Sequence, residues 1–73
     1  MEINKLKLEP NCEYKGKGKM ELFAGASITF DVTLKTNPYG KITEYKDSSP
    51  GEPIPELVDI ISLLNITTGN VVL

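Results

Sequence analysis

Seventy-three residues make one domain with no room for a second. Cys12 is the only cysteine and there is no histidine, which excludes an internal disulfide and a structural zinc site. The same absence removes the usual general acid–base residue, so binding is expected rather than catalysis. With no cofactor, metal or disulfide to brace so small a core, self-association is the remaining source of added stability.

The charge is uneven. All eight basic residues are lysines, and all precede residue 47, where six carboxylates accompany them; the remainder carries Asp47, Glu52, Glu56 and Asp59 with no lysine. The missing arginines and the net charge of −2 argue against a sequence-reading DNA binder and make a nucleic-acid-binding regulator a weaker alternative, with an enzyme less expected still. A lone cysteine and an N-terminus without an apolar run point to the cytoplasm, and no stretch is apolar for the length a bilayer requires.

Ile3 to Leu8 predicts a first strand, with Leu6 and Leu8 on one face and Lys5 and Lys7 on the other. Pro10-Asn11 ends it. Glu13 to Lys19 is polar, contains Gly16 and Gly18, and predicts a loop or a loosely paired strand end. Within it, Lys15-Gly16-Lys17-Gly18-Lys19 combines three cations with glycine amides, a composition able to hold a phosphate, with Tyr14 placed to stack beside it. The spacing is not that of a Walker loop. Cys12 has Lys15 nearby in sequence, but its ordinary role is that of a small buried hydrophobe.

Lys19 to Phe23 predicts a short second strand, and Ala24-Gly25-Ala26 a turn. From Ile28 to Lys35, Ile28, Phe30, Val32 and Leu34 alternate with polar residues, so one face is buried and the other wet. Asn37-Pro38-Tyr39-Gly40 predicts a hairpin turn with positive φ at Gly40. Lys41 to Lys46, with only Ile42 and Tyr45 as large apolar groups, reads as an edge strand guarded by lysines.

Asp47 to Pro55 is a linker with three prolines. Pro55 then predicts the first turn of a helix running to Leu64 or Asn65, with Glu56 and Asp59 favoured near its start. Leu57, Ile61 and Leu64 would pack on the sheet. Val58, Ile60 and Leu63 would stay partly exposed as a subunit interface, unless the linker folds back over them. Thr68-Gly69-Asn70 predicts a turn and Val71 to Leu73 a final short strand. The run from Ile54-Pro55 to Val71 resembles the Ile-Pro, helix, turn and strand of AbrB-like swapped-hairpin transcription factors. It departs from them at Asn65, which stands in place of their glycine, in a longer helix and in the lack of basic residues, so membership does not follow.

The expected fold is therefore α+β, a mainly antiparallel β-β-β-β-α-β sheet with one C-terminal helix packed on it, the alternative being a small β-barrel. The expected function is that of a small homo-oligomeric interaction module that modulates an unidentified partner protein. An accessory or inhibitor protein of a bacterium or phage would suit this composition. The alternative is a binder of a small anionic ligand, such as a nucleotide, through the Lys15 to Lys19 loop.

Overall fold

The alternation of Ile28, Phe30, Val32 and Leu34 produces the strand it predicts. In the computed structural model, which describes all of residues 1–73, this strand is β2, Ser27–Thr36. It is flanked by β1 (Glu13–Glu21) and β3 (Ile42–Asp47), and β4 (Asp59–Asn65) pairs with the far side of β1. The order across the sheet is β3-β2-β1-β4, and every pairing is antiparallel. Two single 3₁₀ turns, Ile3–Lys5 and Pro55–Leu57, are the only helical elements. The fold is thus a small, mostly β structure. It is neither the expected α+β arrangement nor a closed barrel, because the sheet keeps two distinct ends.

The turn at Asn37-Pro38-Tyr39-Gly40 forms as its chemistry requires. Gly40 has φ of 77° and its N–H donates to the Asn37 carbonyl at 2.9 Å. Asn37 Oδ1 also accepts from the N–H groups of Tyr39 and Lys41. The β1–β2 hairpin closes through Ala24 and Gly25, both at positive φ. β3 lies at the edge, as its sparse apolar content implied.

Three expectations are corrected. Ile3 to Leu8 is not a strand. It crosses the inner face of the sheet, so the alternation is real in side-chain direction, with Leu6 and Leu8 packed against the core, although the backbone pairs with nothing there. Glu13 to Lys19 is not a loop but most of β1, a central strand that continues to Glu21 without the expected break before Lys19.

The largest correction concerns Pro55 to Asn65. Pro55 does open a helical turn, but it lasts for three residues and Val58 is already extended, with φ −91° and ψ 130°. The rest is β4. Its pairing with β1 contains a bulge: Gly18 faces Ile60 and Lys17 faces Ser62, so Ile61 is the extra residue. The bulge breaks the period of two. Inward positions become Val58, Ile60, Leu63 and Asn65, and the three-residue step from Ile60 to Leu63 imitates a helical spacing. The assigned faces are consequently reversed. Val58, Ile60 and Leu63, expected at an interface, are 2%, 0% and 2% exposed in the core of the monomer, whereas Leu57, Ile61 and Leu64 are 61%, 47% and 39% exposed. The run that resembles the AbrB-like pattern therefore contains a strand where those proteins have a helix.

The core is formed by Cys12, Tyr14, Phe30, Val32, Leu34, Val58, Ile60 and Leu63, all on the inner face of the sheet or beside it. Ile3, Leu6 and Leu8 cover it from the N-terminal segment and Val72 from the C-terminal one. The polar atoms buried there are satisfied. The Tyr14 hydroxyl accepts from the Glu9 N–H at 2.6 Å, and Thr36 Oγ1 accepts from the Cys12 N–H and donates to the Glu9 carbonyl. Asn65 Oδ1 accepts from the N–H groups of Thr67 and Thr68, which builds the final turn.

Candidate functional site

With the inner face covered, the outer face of the sheet is the broad surface left to solvent. Strand alternation decides what it displays. In β1, Tyr14, Gly16, Gly18 and Met20 turn inward while Glu13, Lys15, Lys17, Lys19 and Glu21 turn outward. The three lysines singled out in the sequence thus share a face, spaced about 7 Å apart by the strand rise.

The other members of that segment have structural roles. Gly16 and Gly18 are ladder residues between β2 and β4, so their amides are not gathered around a free anion site. A Cβ on Gly16 would overlap the Ser62 carbonyl, and one on Gly18 would lie 2.7 Å from Val58 and 2.9 Å from Val32. The glycines let β4 and the core approach β1 closely. Tyr14 is buried, and burial pushes its phenol above the ordinary range; it has no free face for stacking. Cys12 is buried as well, with Sγ donating to the Pro10 carbonyl.

Ion pairs cover the outer face, most of them from strand to strand and one within β3. Lys17 pairs with Asp31, Lys35 lies 3.4 Å from Glu13 and 3.6 Å from Glu44, and Lys46 lies 3.0 Å from Glu44. The Lys17 ammonium, through its hydrogen bond and charge, holds the Asp31 carboxyl below its usual value. Lys46 and then Lys35 do the same for Glu44, and Glu13 raises Lys35. These pairs cancel most of the face's field. Lys15 and Lys19 form no ion pair. They sit four residues apart, about 13 Å along a strand, with Lys17 and its partner Asp31 between them.

Beside Lys15 the face becomes apolar. Lys15 is in register with Leu64, and Leu64 is bridged to Val71, so the side chains of all three project on the same side. Leu64 and Val71 are exposed, as are Ile61 and Ile66. A shallow depression of about 250 Å³ runs over Lys15, Thr33, Lys35 and Lys46 and ends against Ile66. Sequence reasoning placed Leu64 and Ile61 against the sheet and so missed this rim. The signal that could have found it is the strict alternation from Glu13 to Glu21, which marks β1 as a strand and leaves Leu64 outward once β4 is paired to it.

No cluster of carboxylates and thiols is placed to hold a metal ion, and no helix is long and apolar enough to cross a membrane. No family model matches the chain, and no curated protein or solved structure is significantly similar to it.

Proposed function

We propose that this chain is a protein-binding module that acts by occupying a partner's surface through the rim formed by Lys15, Leu64, Ile66 and Val71. The observation that carries this reading is the pairing of Leu64 with Val71 on the outer face, both exposed, beside the Lys15 ammonium, which forms no ion pair. A fully buried leucine or valine side chain contributes roughly 1.5–3 kcal/mol, so covering this rim is a substantial driving force. Exposed apolar patches rimmed by polar groups commonly mark contact sites. The chemistry that fits is a partner segment carrying apolar side chains for Leu64 and Val71 and a carboxylate for Lys15.

The test compares capture of binding partners by the wild type, by Leu64→Glu with Val71→Glu, and by Thr29→Glu as a control elsewhere on the outer face. A partner held by the wild type and the control should be lost by the double variant, with the heteronuclear NMR spectrum of the free protein still folded. Equal capture by all three proteins would show that the rim is not the contact.

A further inference from the structure

The two ends of the sheet are finished differently, and the open one has the properties of a self-pairing edge. Met1, Glu2 and the residues from Asn70 to Leu73 hydrogen-bond along β4. Beyond β3 there is no further strand. We propose that β3 pairs with β3 of a second copy, antiparallel about a two-fold axis at Tyr45, and that Glu44 and Lys46 set the register. This uses a different edge from the rim above and stands independently of it.

The backbone fixes which residues of β3 are free to pair. In an antiparallel pair, residues alternate between exchanging hydrogen bonds with their partner strand and facing away from it. The Ser48 N–H donates to the Asp31 carbonyl, which fixes the phase between β2 and β3. Lys46 opposite Thr33 and Glu44 opposite Lys35 share that phase and bond toward β2. Tyr45, opposite Leu34, is out of phase, so its N–H and C=O point off the sheet. The β1 side agrees: the Thr36 N–H donates to the Cys12 carbonyl, which turns the backbone of Leu34 toward β1 and away from Tyr45. A second strand added here must place its own outward-pointing residues against Tyr45, which restricts the register to steps of two.

The side chains select among those registers. Glu44 and Lys46 both project on the outer face. With Tyr45 opposite the partner's Tyr45, Glu44 lies opposite the partner's Lys46, and Lys46 opposite the partner's Glu44. A step of two in one direction sets Glu44 against the partner's Glu44. A step in the other direction sets Lys46 against the partner's Lys46. Opposite charges directly across an antiparallel pair are favourable and like charges are not. They also occupy the non-hydrogen-bonded positions, where facing side chains are closest. The lysines that protect this edge from unrelated strands are thus neutralised by a copy of the same chain and only in one register. The product is one continuous eight-stranded sheet with the Lys15 rims at its far ends.

Sedimentation velocity of the full chain over a wide concentration range tests this. The wild type should show a reversible monomer–dimer equilibrium that weakens with added salt. Glu44→Lys and Lys46→Glu should each remain monomeric where the wild type dimerises, because each places like charges across the pair. An equimolar mixture of these two variants should dimerise again, as should the doubly exchanged chain. Lys46 is exposed and Glu44 is half-buried with its carboxylate on the outer face, and dispersed NMR spectra should show both variants folded. In the wild type, the Tyr45 amide should exchange more slowly as concentration rises, while the Glu44 and Lys46 amides, already bonded to β2, should not change. A wild type monomeric at every concentration overturns the proposal. So does a dimer that survives both single variants, a mixture that fails to associate, or a dimer that leaves Tyr45 unprotected.

Discussion

β4 and β3 are both terminal strands of the sheet, yet only one of them is a free edge. At β4 the Ile60 N–H donates to the Met1 carbonyl at 2.8 Å, and the Met1 ammonium donates to the Ile60 carbonyl and pairs with Asp59. Further along, the Asn65 N–H donates to Asn70 and the Leu63 N–H to Leu73, and the Val72 N–H donates back to Leu63. Segments distant in sequence therefore converge on one side of the sheet. β3 receives no such cover and carries its own charges instead. The difference indicates how a sheet this small is kept from open-ended growth: backbone pairing closes one edge, and a charge code restricts the other.

The most damaging way to disturb the closed edge is through its support. β4 lies close to β1 only because Gly16 has no side chain. Gly16→Ala would drive a Cβ into the Ser62 carbonyl and to 2.9 Å from Leu63 Cα, both backbone atoms that cannot swing aside. The expected cost is about 3 kcal/mol or more, the upper range for overpacking, measured by urea unfolding. An unchanged midpoint would mean that β4 is not seated there.

A smaller loss is expected from Val72→Pro. It removes the N–H that donates to the Leu63 carbonyl at 2.9 Å and disturbs a side chain packed on the core. About 2 kcal/mol is expected, since a proline cannot donate to a ladder and its ring disturbs the packed segment, with only the Leu73 N–H left to donate to the Leu63 carbonyl. This variant should also self-associate through the uncovered edge of β4. Stability equal to wild type would make the C-terminal segment an incidental neighbour.

The strands also differ in how plainly their residues announce them. β2 was legible because every inward position from Ile28 to Leu34 is apolar and every outward one polar. The turn at Asn37 to Gly40 and the edge character of β3 were legible from residue chemistry alone. β1 was obscured because two of its inward positions are glycines, so its alternation of charged and uncharged residues lacks the row of large apolar side chains that made β2 plain. β4 was obscured by its bulge. One extra residue at Ile61 moved the next inward side chain from position 62 to Leu63, and Glu56, Asp59 and Ser62 then recur every third position as they would on a helix. A bulge depends on the partner strand, and nothing local to β4 announces it. The rim on the outer face was lost with it, since Leu64 could be placed outward only after β4 was known to be a strand.

At the open edge, the hairpin that presents β3 is the next point to test. Gly40 has φ of 77°, and a Cβ there would come within 3.1 Å of the Leu8 carbonyl oxygen. Gly40→Val is expected to cost about 1–2 kcal/mol, because a β-branched residue resists the left-handed region. Gly51→Ala offers a graded control, since Gly51 has φ of 83° but nothing near its missing Cβ. Thermal unfolding should rank Gly40→Val below Gly51→Ala, and the reverse order would mean that Leu8 does not lie against this turn.

The smallest effect expected is a pH dependence at the end of β3. Burial alone would raise the Asp47 carboxyl, but donation from Ser49 Oγ, the Tyr45 hydroxyl and the Ser49 N–H outweighs it and holds Asp47 below the usual aspartate value. The same arrangement raises Tyr45, through burial first and the neighbouring carboxylate second, so the phenol stays protonated and remains a donor at neutral pH. A carboxyl whose pKa is lower in the folded than in the unfolded chain contributes stability above its unfolded value, and that contribution disappears as pH falls through its folded value. The unfolding free energy should therefore decline as pH is lowered from the ordinary aspartate range, about 3.9, toward more acidic values. Asp47→Asn should reduce the slope in that window, because the amide cannot titrate, while leaving the slope near neutral pH unchanged. The counterpart Tyr45→Phe should reduce it by less, since both Ser49 donors remain. If Asp47→Asn follows the wild-type curve throughout the acid range, the hydrogen bonds from Tyr45 and Ser49 do not persist in solution. The end of β3 would then be as unrestrained as its edge.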